Sequence, residues 1–298
     1  MSGGRIDDML NTALLQSATP HTARLHAASL RTMLSAATAA RLAALDIVDT
    51  LDSTNSELLR RRTPDAGIAA LFAERQTGGR GRHGRVWASP PGSNLYLSLA
   101  RCFSGDFTRL GGLSLVVGIA AAEALHVLGA HAVRVKWPND LVVESPGTLR
   151  GQRLQKLGGV LIEGGLQDGR PRAVIGLGMN VRMPDDDAVD IDQPWTDLHA
   201  LLGTALPSRT AIAAAALEAV IEAIDRFDAE GLTPFLQRFD ALDALRDAAL
   251  DARIGDAVHA GVAAGLAEDG ALRLRTAAGE IRLRAGEVTV RASVPAQA

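Results

Sequence analysis

Residues 79–87 read Gly79-Arg80-Gly81-Arg82-His83-Gly84-Arg85-Val86-Trp87, a loop in which glycine and arginine alternate and an apolar pair follows at once. Glycine frees the backbone to turn and to approach a ligand closely, while guanidinium forks are presented to anions. Tracts of this composition that bind RNA recur along disordered stretches; this one stands once. Ile68–Phe72 before it reads as a buried strand, and Asn94–Leu99 after it alternates as a strand does. The segment is therefore read as a ligand loop strung between two strands.

Outward from the loop, the chain keeps alternating strands and helices. Asp52-Ser53-Thr54-Asn55 is dense in capping side chains and precedes Glu57-Leu58-Leu59-Arg60, the mark of a helix start. Leu110–Leu128 reads as a helix closed by Gly129. Val133–Lys136 is expected as a strand that Trp137-Pro138-Asn139-Asp140 interrupts and Leu141–Val143 continues. Leu157–Glu163 and Ala173–Val181 are two further strands. Ala211–Phe227 is an amphipathic helix, and Pro234 opens another at its first turn. Beyond Asp251 the pattern is all-β, with short strands at Ala257–Ala263, Leu272–Arg275, Ile281–Arg284 and Glu287–Val290, and turns at Gly255, Gly265, Gly270, Gly279 and Gly286. The expected organisation is a helical or partly disordered extension over 1–45, a mixed α/β catalytic domain over 46–245, and a small barrel-like module over 252–294.

Composition narrows the function classes. A hydrophobic fraction of 47% suffices for a core, and 3% aromatics means that core is aliphatic. A net charge of −3 gives no global basic field for nucleic acid, so a local arginine cluster points to a small anion. The single cysteine, Cys102, excludes an internal disulfide and a cysteine-rich metal site; it reads as a buried thiol of a cytoplasmic chain. The longest apolar run, Leu115–Ala122, ends at Glu123, short of the roughly 18 residues of a spanning helix, so no membrane role is expected.

Three more stretches carry chemistry. In Lys136-Trp137-Pro138-Asn139-Asp140, Pro138 ends the strand and leaves Asn139 and Asp140 in a turn suited to a ribose, a phosphate or a metal ion, or to no ligand at all. In Lys156-Leu157-Gly158-Gly159-Val160-Leu161-Ile162-Glu163, a lysine starts a central strand and a glycine pair lets a flat ligand lie on the backbone. Gly176-Leu177-Gly178-Met179-Asn180 sets two glycines and an amide beside another strand, without the third glycine of a dinucleotide fingerprint.

Each stretch is ambiguous alone. Their combination and order, with Ser53-Thr54-Asn55 and Asn94-Leu95-Tyr96, resemble the biotin–protein ligase family over residues 47–235, with a weaker likeness over 252–292. The resemblance implies an α+β fold: a mixed sheet with flanking helices, similar to class II aminoacyl-tRNA synthetases, plus a small SH3-like C-terminal barrel. It implies an ATP-dependent ligase that forms a carbon–nitrogen bond. Biotin and ATP with magnesium give biotinoyl-5′-adenylate and pyrophosphate, and a lysine of a biotin carboxyl carrier protein then takes the acyl group and releases AMP. Biotin is a substrate, and no permanently bound cofactor is implied.

Position by position, Ser53, Thr54, Asn55, Gln76, Arg80, Gly81, Arg82 and Lys156 match the family's biotin-binding positions. Trp87, Lys136, Asn139, Asp140 and Asn180 fall on the nucleotide side. Arg82, Lys136 and Lys156 are the candidate catalytic cations, because a carboxylate attacking a phosphate brings two anions together. No metal ligand is assigned to a side chain. His83 stands where the family loop often has a further arginine. Two alternatives share the fold: a bifunctional ligase and biotin-operon repressor, and a lipoate-type ligase. DNA is not an expected partner, because residues 1–45 lack the length and turn chemistry of a DNA-reading module; a homodimer stays open.

Overall fold

The computed structural model describes residues 24–145, 154–188, 191–254 and 256–284, and the backbone of 288–292. Seven strands form one mixed sheet: β1 (Leu42–Leu51), β2 (Ile68–Gln76), β3 (Leu95–Cys102), β4 (Val133–Lys136), β5 (Asp140–Glu144), β6 (Leu154–Gln167) and β7 (Arg170–Met179), in the spatial order β1-β2-β3-β7-β6-β5-β4. Only β1 and β2 pair in parallel; every other neighbour is antiparallel. The expected interrupted strand at 133–143 is instead a hairpin. Lys136 pairs with Asp140, because the turn at 137–139 reverses the chain completely rather than offsetting it.

The period of two along the strands gives this sheet two different faces. One carries Phe72, Leu95, Leu97, Leu99, Ile175, Leu177 and Met179 into the main core. On it lie α4 (Leu113–Val127) and α6 (Arg209–Glu230), which pack against each other. Helix α4 starts at Leu113 rather than Leu110, since Phe107–Leu110 forms a 3-10 turn and Gly112 takes φ 86 at the cap. Phe107–Val127 is long and apolar enough to cross a membrane by composition, yet most of it is buried inside the protein, the condition of a core helix. Cys102 is buried, as expected.

The opposite face carries the alternate residues Ser98, Gly176, Gly178, Gly159 and Leu161, and there the cavity opens. A bulge matters here. Leu141 pairs with Gly158 and Val142 with Lys156, so Leu157 is the extra residue and the alternation restarts across it. That shift brings both Lys156 and Gly159 to the cavity side.

Residues before the sheet are more integrated than the expected boundary at 45 implies. Helices α1 (Ala27–Met33) and α2 (Ala36–Arg41) pack on α6, Leu25, Leu30 and Leu34 sit in the main core, and β1 begins at Leu42. The remaining helices are α3 (Thr54–Arg60), α5 (Leu198–Leu202) and α7 (Thr233–Leu242). The earlier part of the extension lies outside the described residues.

The C-terminal part is an antiparallel five-stranded sheet, ordered β11-β10-β9-β8-β12. It comprises β8 (Ala249–Ile254), β9 (Ala257–Leu266), β10 (Leu272–Thr276), β11 (Gly279–Leu283) and β12 (Val288–Ala292). Strand β8 has no counterpart in the sequence reading, and the described part of the last strand runs Val288–Ala292. Gly255, Gly286 and Glu287 fall outside the described residues. Leu250, Leu272, Leu274 and Leu283 join the same core as the large sheet. Trp137, in the turn between β4 and β5, donates its indole N–H to the Gly270 carbonyl at 3.0 Å. The small sheet is thus fastened directly to one of the chemistry-bearing turns.

Candidate active site

A cavity of about 960 Å3 lies on the glycine-bearing face of the large sheet. Ser53, Thr54, Asn55, Gln76, Arg80, Gly81, Arg82, Trp87, Lys136, Asn139, Asp140 and Lys156 all line it. The motifs come together because β2, β6 and β7 and the loops after β2 and β4 converge on one end of the sheet.

At one end sits the first turn of α3. The Ser53 hydroxyl accepts the Ser56 N–H as helix cap, so this residue holds the turn as well as lining the cavity. The Thr54 N–H donates to Gln76 Oε1 at 2.9 Å, and Gln76 Nε2 donates to Ser89 Oγ at 3.1 Å. Asn55 is buried. Its Oδ1 accepts from Ser98 Oγ at 2.6 Å, and its Nδ2 donates to Glu163 Oε2 at 2.9 Å. Polar side chains this buried persist only when bonded, and here the bonds fix donors and acceptors in known directions. Gly176 permits this packing: a Cβ there would meet Asn55 Oδ1 at 2.5 Å.

The glycine–arginine loop closes over the cavity from β2. Its base is held by backbone bonds, Trp87 N–H to the Gly79 carbonyl at 2.9 Å and Gly81 N–H to the Arg85 carbonyl at 2.7 Å. Arg80 Nη2 donates to Glu163 Oε2 at 2.8 Å, and Arg82 Nη1 reaches Asn139 Oδ1 at 3.3 Å. Burial lowers the Arg82 guanidinium from its ordinary value, with the Asp140 charge acting in the opposite direction. His83, the departure from the family pattern, takes the left-handed φ of 55 at the loop's tip. Val86 beside it is 86% exposed.

At the other end, Lys156 Nζ pairs with Asp140 Oδ1 at 2.8 Å and lies 5.5 Å from the centre of the Trp87 ring. Trp87 rests on β7 itself, where a Cβ on Gly178 would meet the indole at 2.7 Å. Asn139 is pinned by both its backbone and its side chain, Nδ2 donating to the Val160 carbonyl at 2.9 Å and its own carbonyl accepting from Val160 N–H at 2.8 Å. The Lys156 ammonium thus links the Asp140 carboxylate to the Trp87 ring. Lys136 sits across the hairpin from Asp140.

Asn180 is the exception among the expected residues. It does not line the large cavity; it borders a small adjoining pouch that shares Val86, Trp87, Ala88, Lys156, Ile191 and Gln193 with it. Asn180 Nδ2 donates to the Thr196 carbonyl at 3.1 Å. Among the described residues its buried Oδ1 and the buried Trp87 Nε1 have no hydrogen-bond partner, and both residues line the pouch.

Glu163 and Ser98, which organise Asn55 and Arg80, carry no role in the sequence reading. Glu163 stands at the end of the quoted Lys156–Glu163 run, but its period-two relation to Gly159 and Leu161 is the only hint that it shares their face of the sheet. Ser98 gives no hint, because its partners are 43 and 44 residues away.

A family model described as the biotin/lipoate A/B protein ligase family matches residues 47–180. The bifunctional ligase/repressor BirA of Escherichia coli (strain K12) is 38% identical over 250 residues, covering 81% of this chain and 74% of that protein. The biotin–[acetyl-CoA-carboxylase] ligase of Paracoccus denitrificans is 31% identical over 80% of this chain and 96% of its own. A solved biotin protein ligase from Aquifex aeolicus, in complex with biotin and ATP, superposes with a TM-score of 0.68 at 26% identity, over 84% of this chain and 100% of that one. An identity of 38% sustained over 250 residues, on a shared fold, places the relationship beyond fold alone: this chain belongs to the biotin–protein ligase family.

Proposed function

We propose that this chain is an ATP-dependent biotin–protein ligase, which makes biotinoyl-5′-adenylate and passes biotin to a lysine of a biotin carboxyl carrier protein. The observation that carries this is the single cavity in which the polar end built from Thr54, Asn55 and Gln76 is continuous with the cationic end built from Arg82, Lys136 and Lys156. The first end suits the ureido group of biotin, which needs fixed donors and acceptors. The second suits a carboxylate meeting a triphosphate.

In adenylation, the biotin carboxylate attacks the α-phosphate of ATP and pyrophosphate leaves. Arg82 and Lys156 would offset the repulsion between the two anions and stabilise the charge that gathers at the transition state. The hydrogen bonds of Asn139 to β6 hold its side chain ready for the nucleotide. Asn180 and Trp87 border the small pouch beside the main cavity, the place from which Asn180 would serve the nucleotide side. The carrier lysine then attacks the mixed anhydride, a carbon–nitrogen bond forms, and AMP leaves.

Magnesium would travel with the phosphates: among the described residues no group of three potential ligand side chains is present, and the chemistry needs the ion on the departing pyrophosphate. The class II synthetase-like description of the large sheet and the SH3-like description of the small one belong to this proposal, as does a cytoplasmic location. The burial of Leu30 and Leu34 in the core makes the residues just before β1 part of the fold that carries the cavity. Biotin-dependent exchange of pyrophosphate into ATP tests the proposal. Exchange with lipoate but not biotin would overturn it in favour of the lipoate-type alternative.

A further inference from the structure

The chain has 29 arginines and only two lysines, Lys136 and Lys156, and both lysines line the cavity. Every other side-chain cation, on the loops, helices and both sheets, is a guanidinium. The difference matters chemically for an enzyme that makes an acyl-adenylate. A guanidinium stays protonated and delocalised, whereas a lysine amine can lose its proton and attack an activated carbonyl.

Resting on the ligase function above, we propose that the protein is closed to acylation by its own product. The acyl-adenylate finds no side-chain amine on the exterior; within the cavity Lys156 is held by Asp140 as a charged donor, and Lys136 stands across the hairpin from the same aspartate. The reaction avoided is fully defined. An amine lone pair attacks the acyl carbon, an amide carbon–nitrogen bond forms, and the carbon–oxygen bond of the mixed anhydride breaks. AMP departs with the electron pair, and the amine proton passes to solvent. An ammonium bonded to a carboxylate at 2.8 Å has no lone pair to offer and is held toward Asp140. The carrier's lysine is then the amine that reacts.

The test uses the full chain with biotin, ATP and magnesium and no carrier, followed by intact-mass spectrometry and peptide mapping. The comparison variant carries Arg75→Lys, Arg182→Lys and Arg253→Lys, three exposed positions whose charge is kept. Arg182 adjoins Met183 of the pouch wall and is expected to react first. Pyrophosphate release is followed in the same tube. The expected result is pyrophosphate from both proteins, no adduct on the native chain, and a mass shift of one acyl group per new lysine on the variant. Adducts on the native chain at the rate of the variant, at either lysine or the α-amine, would overturn the proposal. So would a variant that stays unmodified while pyrophosphate forms. Absence of pyrophosphate from the native chain would instead overturn the ligase function, and this proposal with it.

Discussion

Asn55 and Glu163 are bonded between α3 and β6, Nδ2 to Oε2 at 2.9 Å, and the same carboxylate oxygen accepts from Arg80 at 2.8 Å. One oxygen thus sets the orientation of an amide on α3 and ties the glycine–arginine loop to the sheet. Glu163→Ala is expected to raise the KM for biotin about tenfold, since about 1.4 kcal/mol of lost alignment corresponds to that factor. The ion pair with Arg80 is partly exposed and contributes at most about 1 kcal/mol of this. kcat should change little, because in the proposed function the reacting carboxyl would sit at the Lys156 end. Steady-state kinetics at saturating ATP check it; an unchanged KM would show that Glu163 only decorates the strand.

Gly178→Ala should damage nucleotide handling while sparing the fold. The new Cβ would meet the Trp87 indole at 2.7–2.8 Å, so the ring must leave the sheet and take its cation–π contact with Lys156 with it. That contact is worth about 0.5–2 kcal/mol. Gly165→Ala, on the neighbouring strand, meets nothing within 4 Å and serves as the control. The measurement is ATP-dependent thermal stabilisation of the two variants. Equal stabilisation would mean that the close approach of Trp87 has no bearing on ATP.

The motifs that carry chemistry were legible because they are local: a loop rich in glycine and arginine, a proline-bearing turn, and a lysine before an apolar run each announce themselves within eight residues. What binds them together was not. The bulge at Leu157 that re-aims Lys156 arises from a register between strands, and no spacing in the sequence encodes it. Strand β8 escaped because Ala249–Ile254 is short and lacks a β-branched run, and it becomes a strand only where β9 and β12 flank it. The hairpin at 137–139 was read as a break because proline marks an end of a strand without giving the direction in which the chain leaves it.

The N-terminal segment shows the same limit most clearly. Because every motif that carries the family resemblance lies after Asp52, the sequence alone suggests that residues 1–40 can be removed with ligase activity largely unchanged. The structure puts Leu25, Leu30 and Leu34 in the core and bonds the Leu25 N–H to Glu74 Oε1 at 2.7 Å, with Arg209 on the other carboxylate oxygen. Truncation would expose that core and leave part of a buried ion-pair network unsatisfied. Leu30→Ala alone should cost about 2–5 kcal/mol, read by urea denaturation. A truncated chain with native stability would show that α1 packs without contributing.

Trp137 links the chemistry to the C-terminal sheet. Trp137→Phe keeps a buried ring but deletes the N–H that donates to Gly270, leaving a buried carbonyl short of a partner at a cost of about 1–3 kcal/mol. The turn that carries Lys136, Asn139 and Asp140 should loosen, and the KM for ATP should rise more than the KM for biotin. A variant whose melting temperature and KM for ATP both match the native protein would mean that the small sheet does not position this turn.

Lys156→Ala should cost more than the loss of one cation. Its partner Asp140 has a side chain only 22% exposed, and without the ammonium that carboxylate faces the phosphates of ATP as an added negative charge. A combined Lys156→Ala and Asp140→Asn variant removes this repulsion, so it should recover part of the activity lost in Lys156→Ala. The two changes are in contact, where couplings of about 0.5–3 kcal/mol are usual. Lys156→Arg should rescue poorly, because Gly159 and the Trp87 ring enclose the ammonium and a planar fork needs more room. Pyrophosphate exchange at saturating biotin and ATP, run beside a thermal melt, measures all four proteins. A double variant no faster than Lys156→Ala would show that Asp140 acts on the nucleotide directly rather than through Lys156, and normal exchange in Lys156→Ala would remove the lysine from the chemistry altogether.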